Sequence, residues 1–343
     1  MKKLRVLELF GGIGACSKAL KNLGIDYEIT DYVEIDKYST KSFNAIHGTN
    51  FDPQDITMWN KDIDVDLIMH GSPCQDFSLA GKQAGGDKNS GTRSSLMYET
   101  IRIVEKLKPK YVIWENVKNL LSKKHKHNFD AYLKTMEQLG YNNYYQILNA
   151  KDYGIPQNRE RVFTVSIKKN IDMEFVFPKK QPLKLKLKDM LEDNVDEKYY
   201  LSEKQINRIR NSNYNQNKKR IQEKDYCDTL CARDYKDPKV IEVFDFRYDD
   251  GVRFRKDKDL SPCLTCKVGS SSYSGQPLLN VNNVKELNLR IRKLTPKEYW
   301  RLMGFDDSDF EKASKVNSNS QLYKQVGNSI VVNVLESILK NLL

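Results

Sequence analysis

Short apolar segments alternate with amphipathic ones through the first half of the chain, and this alternation constrains the fold more than any other feature. Residues 4–10 read as a strand. Ala15, Cys16, Ala19, Leu20 and Leu23 then recur at helical spacing, and Gly24 ends that helix. Residues 27–33 read as a second strand and 37–47 as a second helix. Further strands are expected over 67–70, 111–114, 144–148 and 162–167, with a helix over 94–107. Repeated strand–helix–strand units of this kind build an α/β fold with a doubly wound, mostly parallel sheet. The pattern fails after Phe177. Residues 178–290 are Lys-rich and irregular, which predicts a second, smaller domain with little regular helix. A short helix is expected over 296–304 and a longer one over 330–342.

The 343 residues are 39% hydrophobic and 30% charged, ordinary for a globular chain with a sizeable core. No apolar run approaches the roughly 20 residues needed to span a bilayer. Arg5 and Glu8 interrupt the apolar start, so a signal peptide is not expected and the cytoplasm is. The net charge of +11 points to a polyanionic partner, nucleic acid first; biased codon usage is the alternative source of the lysines.

Ser72-Pro73-Cys74-Gln75 directly follows the strand at 67–70. A Cys behind a rigid Pro at a strand end is presented rather than packed, and a thiolate there is a strong nucleophile. The Gly-rich stretch 81–91 reads as a lid. Between the first strand and helix stands Phe10-Gly11-Gly12-Ile13-Gly14, where glycine permits a tight turn and close approach to a ligand. Glu34 follows about 20 residues later, placed to bind two ribose hydroxyls; the alternative is a Gly turn with a surface Glu. Ser17 stands where a dinucleotide fingerprint has its third Gly, which disfavours nicotinamide. Asp55-Ile56 suits an adenine amino group and ring, or an ordinary turn. Glu115, at the end of another strand, would share the sheet edge with Cys74 and polarise a heterocycle by holding a ring nitrogen. Gln157, Arg159 and Arg161 alternate, so all three face one side of an extended segment. Two guanidiniums there can hold a thiolate, a phosphate or a carbonyl oxygen.

Together these residues resemble the C5-cytosine DNA methyltransferases. The Phe10–Gly14 run, Pro73-Cys74, Glu115-Asn116-Val117, the Gln157–Arg161 series, Arg292 through Phe305, and Gln325-Val326-Gly327-Asn328-Ser329 follow the family's order. The likeness implies S-adenosylmethionine as co-substrate and no metal. It carries over Phe10, Gly11, Gly12, Ile13, Gly14, Glu34, Ile35, Asp55, Ile56, Pro73, Leu96, Asn328 and Ser329 as cofactor contacts. It makes Cys74 the nucleophile at C6 of a flipped cytosine, with Glu115 on N3, Arg161 on the carbonyl oxygen and Arg159 holding Cys74 or the nucleotide. Residues 76–95 would close over the DNA. The implied organisation is a catalytic domain at 1–180, target recognition at 181–290, a hinge at 291–320 and a returning helix at 321–343. The implied partner is double-stranded DNA, met by a monomer. A cognate restriction endonuclease acting separately, a solitary host enzyme and a phage enzyme all fit.

Cys231 departs from the Thr-Leu-Thr-Ala-Arg element that Thr229 to Arg233 resembles. Cys227, Cys231, Cys263 and Cys266 could instead form a four-thiolate zinc site, which metal analysis would reveal. A transfer-RNA methyltransferase is the alternative substrate class, favoured by the near-match of Cys263-Leu264-Thr265 to the element those relatives carry. A DNA-binding regulator without turnover leaves the set Cys74, Glu115, Arg159 and Arg161 without a purpose. A nicotinamide-dependent oxidoreductase leaves Cys74 and both arginines unexplained.

Overall fold

The computed structural model describes residues 3–73, 93–210, 221–222, 225–236, 239–244 and 289–343. Cys74, nearly all of the expected lid, Cys263 and Cys266 lie outside those residues. Two compact units divide the chain: Met1–Asp193 with Lys224–Pro238 and Thr295–Leu343, and Asn194–Glu223 with Lys239–Leu294.

The first unit is mixed α/β around a six-stranded, mostly parallel sheet. Its strands are β1 (Leu4–Leu9), β2 (Tyr27–Val33), β3 (Leu67–His70), β4 (Tyr111–Val117), β5 (Tyr141–Asn149) and, after the short β6 (Gln157–Asn158), β7 (Glu160–Lys168). Their spatial order is β2-β1-β3-β4-β7-β5. β1 runs parallel to β2 and β3, and β3 parallel to β4. β7 alone is reversed, antiparallel to both neighbours. The chain passes from β5 to β7 through residues 150–159, too short a connection for the crossover a parallel partner requires.

Central strands covered on both faces must be apolar on both, and β3 is buried at every residue. In β1, Leu7 and Leu9 enter a core built with Met97, Val104 and Phe129. These come from α3 (Met97–Leu107) and α4 (Lys126–Gln138). Glu8 points to the opposite face, as alternation requires, where Ser17 of α1 (Ala15–Asn22) donates to it. Asp36 caps α2 (Lys37–His47), accepting from Tyr38 N at 2.9 Å and Ser39 N at 3.4 Å, and Gly48 ends it at φ 69°.

After α5 (Glu203–Arg210) in the second unit, the chain returns to the first as α6 (Pro296–Arg301), α7 (Asp307–Ser314), α8 (Asn319–Asn328) and α9 (Val332–Leu342). A capping box starts α6: Glu298 N donates to Thr295 Oγ1 at 3.2 Å, and Thr295 N to Glu298 Oε2 at 2.7 Å, with Pro296 next in line. α9 packs on α1, which seats the segment between α8 and α9 beside the start of the chain.

Besides α5, the described part of the second unit holds a 3-10 turn at Glu197–Tyr199 and a small sheet of β8 (Ile221–Gln222), β10 (Val240–Phe244) and β11 (Leu289–Lys293), in the order β11-β10-β8. A further short strand, β9 (Cys227–Asp228), belongs to the first unit and pairs with β6.

Candidate active site

The turn from β1 into α1 is left-handed at three points: Phe10 at φ 53°, Gly12 at 56° and Gly14 at 80°. Gly11 is required for space. A Cβ there would lie 2.7 Å from the Tyr32 ring, too close for any side chain. Tyr32 also fixes the turn by donating its hydroxyl to Gly12 O at 2.7 Å. Glu34, at the end of β2, accepts from Gly12 N at 3.2 Å and from Asp36 N at 2.9 Å. Desolvation pushes its carboxyl upward against those donors.

One pocket collects residues from the two ends of the chain. Phe10, Gly11 and Gly12 form one wall, Met69, Gly71 and Glu115 a second, and Asn328, Ser329 and Ile330 a third. Glu8 lines its base. Other residues expected around a cofactor are arranged differently. Ile35 is 69% exposed beside Glu34. Ile13 and Ile56 are buried, and Leu96 is packed against the core behind the strands. The Asp55 carboxylate closes its own turn, accepting from Thr57 N at 2.9 Å and Thr57 Oγ1 at 2.8 Å.

The approach to Cys74 is described as far as Pro73. Ser72 is buried, with Trp114 Nε1 donating to its Oγ at 3.0 Å and Asn116 Nδ2 to its carbonyl at 3.3 Å. β4 therefore fixes Ser72. His70 is packed away from that end: its ring stacks on Trp114 and its Nε2 lies 3.1 Å from the Tyr132 hydroxyl. Burial lowers its pKa to about 3, which keeps it neutral.

Glu115 ends the same strand, buried in the pocket wall. Arg161 Nε stands 3.0 Å from Glu115 Oε1. The β4–β7 register, with Val117 opposite Arg161, brings the two together. Desolvation raises the Glu115 pKa, and the positive charges of Arg161 and Arg159 only partly oppose it. The carboxyl is thus biased toward its protonated form.

Arg159 is differently employed. Its Nη1 donates to Leu230 O at 2.9 Å, and its Nη2 to Ser329 O at 2.8 Å and Gly327 O at 3.4 Å. Gln157 works alongside, donating to Leu302 O at 2.7 Å and accepting from Leu230 N at 3.2 Å. Gln157 and Arg159 both meet Leu230 while Arg161 turns to Glu115, and the partners of the first two are mostly backbone groups of segments that return much later in the chain. Gly327 permits the closest of these approaches: a Cβ there would overlap the backbone of Cys231 and Ala232.

Sequence reasoning missed one contributor, Glu8, and the role of another, Gln157. Glu8 is a carboxyl inside a buried strand. Ser17 N donates to it at 3.0 Å and the Ser17 hydroxyl makes a short bond to the same oxygen. Burial raises the Glu8 pKa to about 7 and, with Glu8 itself, pushes the Cys16 thiol well up. The signal was a charged residue at an apolar position. Gln157 was noted, but its use as a tie has no local signature. Of the proposed zinc ligands, Cys227 is buried and Cys231 exposed, both free thiols. No cluster of three or more metal-ligating side chains occurs among the described residues, and no helix among them is long and apolar enough to cross a membrane.

The Gly-rich turn, the Glu34 carboxylate that holds it and the buried Glu115 carboxyl thus lie at the ends of neighbouring sheet strands. The C-5 cytosine-specific DNA methylase model matches residues 4–343. The chain is 42% identical over 309 residues to the type II methyltransferase M2.ScrFI of Lactococcus lactis subsp. cremoris, covering 90% of this chain and 73% of that one. It is 31% identical to the orphan methyltransferase M.SPBetaI of Bacillus phage SPbeta, covering 100% and 98%. The S. pombe Dnmt2 methyltransferase structure superposes with a TM-score of 0.69 at 21% identity, covering 98% and 97%, a likeness of fold. The chain belongs to the C5-cytosine-specific DNA methylase family and is a DNA (cytosine-5-)-methyltransferase. That activity implies S-adenosylmethionine as methyl donor and DNA as substrate.

Proposed function

We propose that this chain methylates C5 of a cytosine flipped out of a specific duplex sequence, with Cys74 as nucleophile and Glu115 as the group that makes the ring receptive. The observation that carries this reading is Glu115 itself: a buried carboxyl with a raised pKa, in the pocket shared by the Gly-rich turn and Asn328-Ser329.

S-adenosylmethionine supplies the methyl group as a sulfonium. The pocket suits a nucleoside-bearing donor, because Gly11 keeps the wall thin against Tyr32, Glu34 offers a carboxylate beside Gly12 and Asn328 is exposed at the rim. Cys74 thiolate adds to C6 of cytosine, forming a C–S bond as the ring's electron pair shifts toward N3. Glu115 hydrogen-bonds N3 and the exocyclic amine and gives its proton to N3, which stabilises the enamine. C5 would then take the methyl group from the sulfonium, leaving the neutral thioether S-adenosylhomocysteine. A base removes the C5 proton, the C5–C6 double bond re-forms as the C6–S bond breaks and Cys74 leaves as thiolate, and N3 returns its proton to Glu115. Arg161 holds the cytosine carbonyl oxygen, a role supported by its place beside Glu115. Arg159 acts at one remove, by holding Leu230 and Ser329 where the pocket needs them.

Residues 1–180 carry catalysis, 181–290 target recognition, 291–320 the hinge and 321–343 the return to the pocket. The enzyme acts as a cytoplasmic monomer on double-stranded DNA, beside a cognate endonuclease or alone.

Bisulfite sequencing of plasmid DNA from cells expressing the chain tests this reading. Conversion-resistant cytosines in one sequence context are expected, and their loss in Cys74→Ala. Methyl transfer to transfer RNA but not to duplex DNA would move the assignment to the alternative substrate.

A further inference from the structure

The strand that carries Glu115 continues into a basic turn. Its last residue, Val117, is in register with Arg161, so the turn emerges at the edge where Glu115 and Arg161 meet. Between Lys118 and Asp130 stand Lys118, Lys123, Lys124 and Lys126 against one carboxylate, Asp130. The turn is built rather than loose. Lys118–Leu121 form a 3-10 turn around fully buried Leu120. Ser122 O then accepts from His125 N at 3.0 Å and Lys126 N at 2.8 Å, and His125 is buried.

Two of the four lysines are neutralised locally. Lys118 pairs with Glu160 at 3.0 Å and Lys126 with Asp130 at 2.6 Å. Lys123 and Lys124 are exposed and meet no carboxylate among the described residues. Adjacent like charges on a hydrogen-bonded turn raise the local positive potential, which favours an anion there. A solvated lysine pair is the ordinary use of such a turn. Its place on the turn that follows the Glu115 strand sets this pair apart from other lysines among the described residues.

We propose that Lys123 and Lys124 contact the phosphate backbone of duplex DNA beside the flipped cytosine. The inference rests on the duplex-DNA reading above. An ammonium on a flexible stem is a point charge that carries no base information, so the pair positions the duplex and adds affinity without adding sequence preference. Each phosphate contact releases counterions and steepens the salt dependence of binding by about 0.9 in log–log slope.

The test is fluorescence anisotropy of a labelled duplex carrying the sequence context mapped by bisulfite sequencing, titrated across a range of salt. Wild type, Lys123→Gln, Lys124→Gln, the double variant and Lys169→Gln are compared, with melting curves to confirm folding. Lys169 is exposed just past the end of β7 distant from Arg161. In the double variant the slope should fall by about 1–2 and affinity near physiological salt by roughly 5- to 30-fold, with each single variant intermediate. Lys169→Gln should match wild type. An unchanged slope in the double variant, while wild type binds with a steep one, overturns this inference alone. An equal loss in Lys169→Gln also overturns it, since the effect would then be general charge. A loss confined to transfer RNA overturns it as well. Wild type that fails to bind the duplex overturns both this inference and the reading beneath it.

Discussion

Arg161 Nε lies 3.0 Å from Glu115 Oε1, an ion pair that fixes the carboxyl in the pocket wall. Glu115→Gln, which keeps the shape and removes the acid, should lower the single-turnover rate of methyl transfer by roughly 10²–10⁴-fold. Duplex affinity should stay within a few-fold. A rate within ten-fold of wild type would show that Glu115 is not the proton donor.

The pair also sets a pH dependence. Desolvation raises the Glu115 pKa and Arg161 lowers it. If the protonated form is the active one, rate falls as pH climbs through that pKa. Arg161→Met removes the attraction that favours the ionised form, so the alkaline limb should move to higher pH whatever its height. A pH–rate profile under single-turnover conditions reads the position of the limb. A limb that stays in place, or moves to lower pH, contradicts this electrostatic account.

Arg159→Met should act on stability before chemistry. It strips donors from the carbonyls of Leu230, Gly327 and Ser329 at a buried site. Each unsatisfied carbonyl costs about 1–3 kcal/mol, so a combined loss of roughly 3–5 kcal/mol is expected by denaturant unfolding. Affinity for S-adenosylhomocysteine should fall with it, because Ser329 lines the pocket. Arg159→Lys should recover part of both. A stability change below about 1 kcal/mol would mean that the ties are incidental.

Glu8 gives a stability signature that runs opposite to the usual one for a carboxyl. Its folded pKa is about 7, against about 4.5 for the unfolded chain. The folded state therefore holds its proton longer, and stability declines as pH rises from about 4.5 to 7, levelling beyond. The difference of about 2.5 units corresponds to about 3 kcal/mol. Glu8→Gln should leave stability near wild type below about pH 4.5 and exceed it by that order at pH 8. Parallel melting curves across pH measure this, and equal pH dependence in the two proteins excludes it.

The parts of the fold that were legible share a physical cause. β3 and α2 lie where periodicity placed them, because a strand covered on both faces is apolar and a helix covered on one face is striped, and β2 does too although it is an edge strand carrying Glu28 and Asp31. β5 starts at Tyr141 rather than 144, since an edge strand carries polar residues such as Asn142 and Asn143 that mask it. The reversal of β7 was not legible, because hydrophobicity carries no strand direction. Glu115 was singled out from its place near a strand end and Arg161 from alternation along an extended segment, and the β4–β7 register brings the two side by side. The partners of Arg159 could not, being backbone groups 71 and 170 positions away. Nor was the turn of Asp55 and Thr57 separable from an adenine contact on sequence grounds.

The pocket takes one wall from residues 10–12 and another from residues 328–330. Synthesis on the ribosome separates these walls in time, since the sheet strands emerge long before the segment that closes the site. A nascent chain or truncated product ending before Asn328 can form β1 to β4 and present the Gly-rich turn, yet lacks the rim and the Ser329 carbonyl that Arg159 holds. The pocket is therefore closed by nearly the last residues to be made, and a chain cut before Asn328 lacks one of its walls.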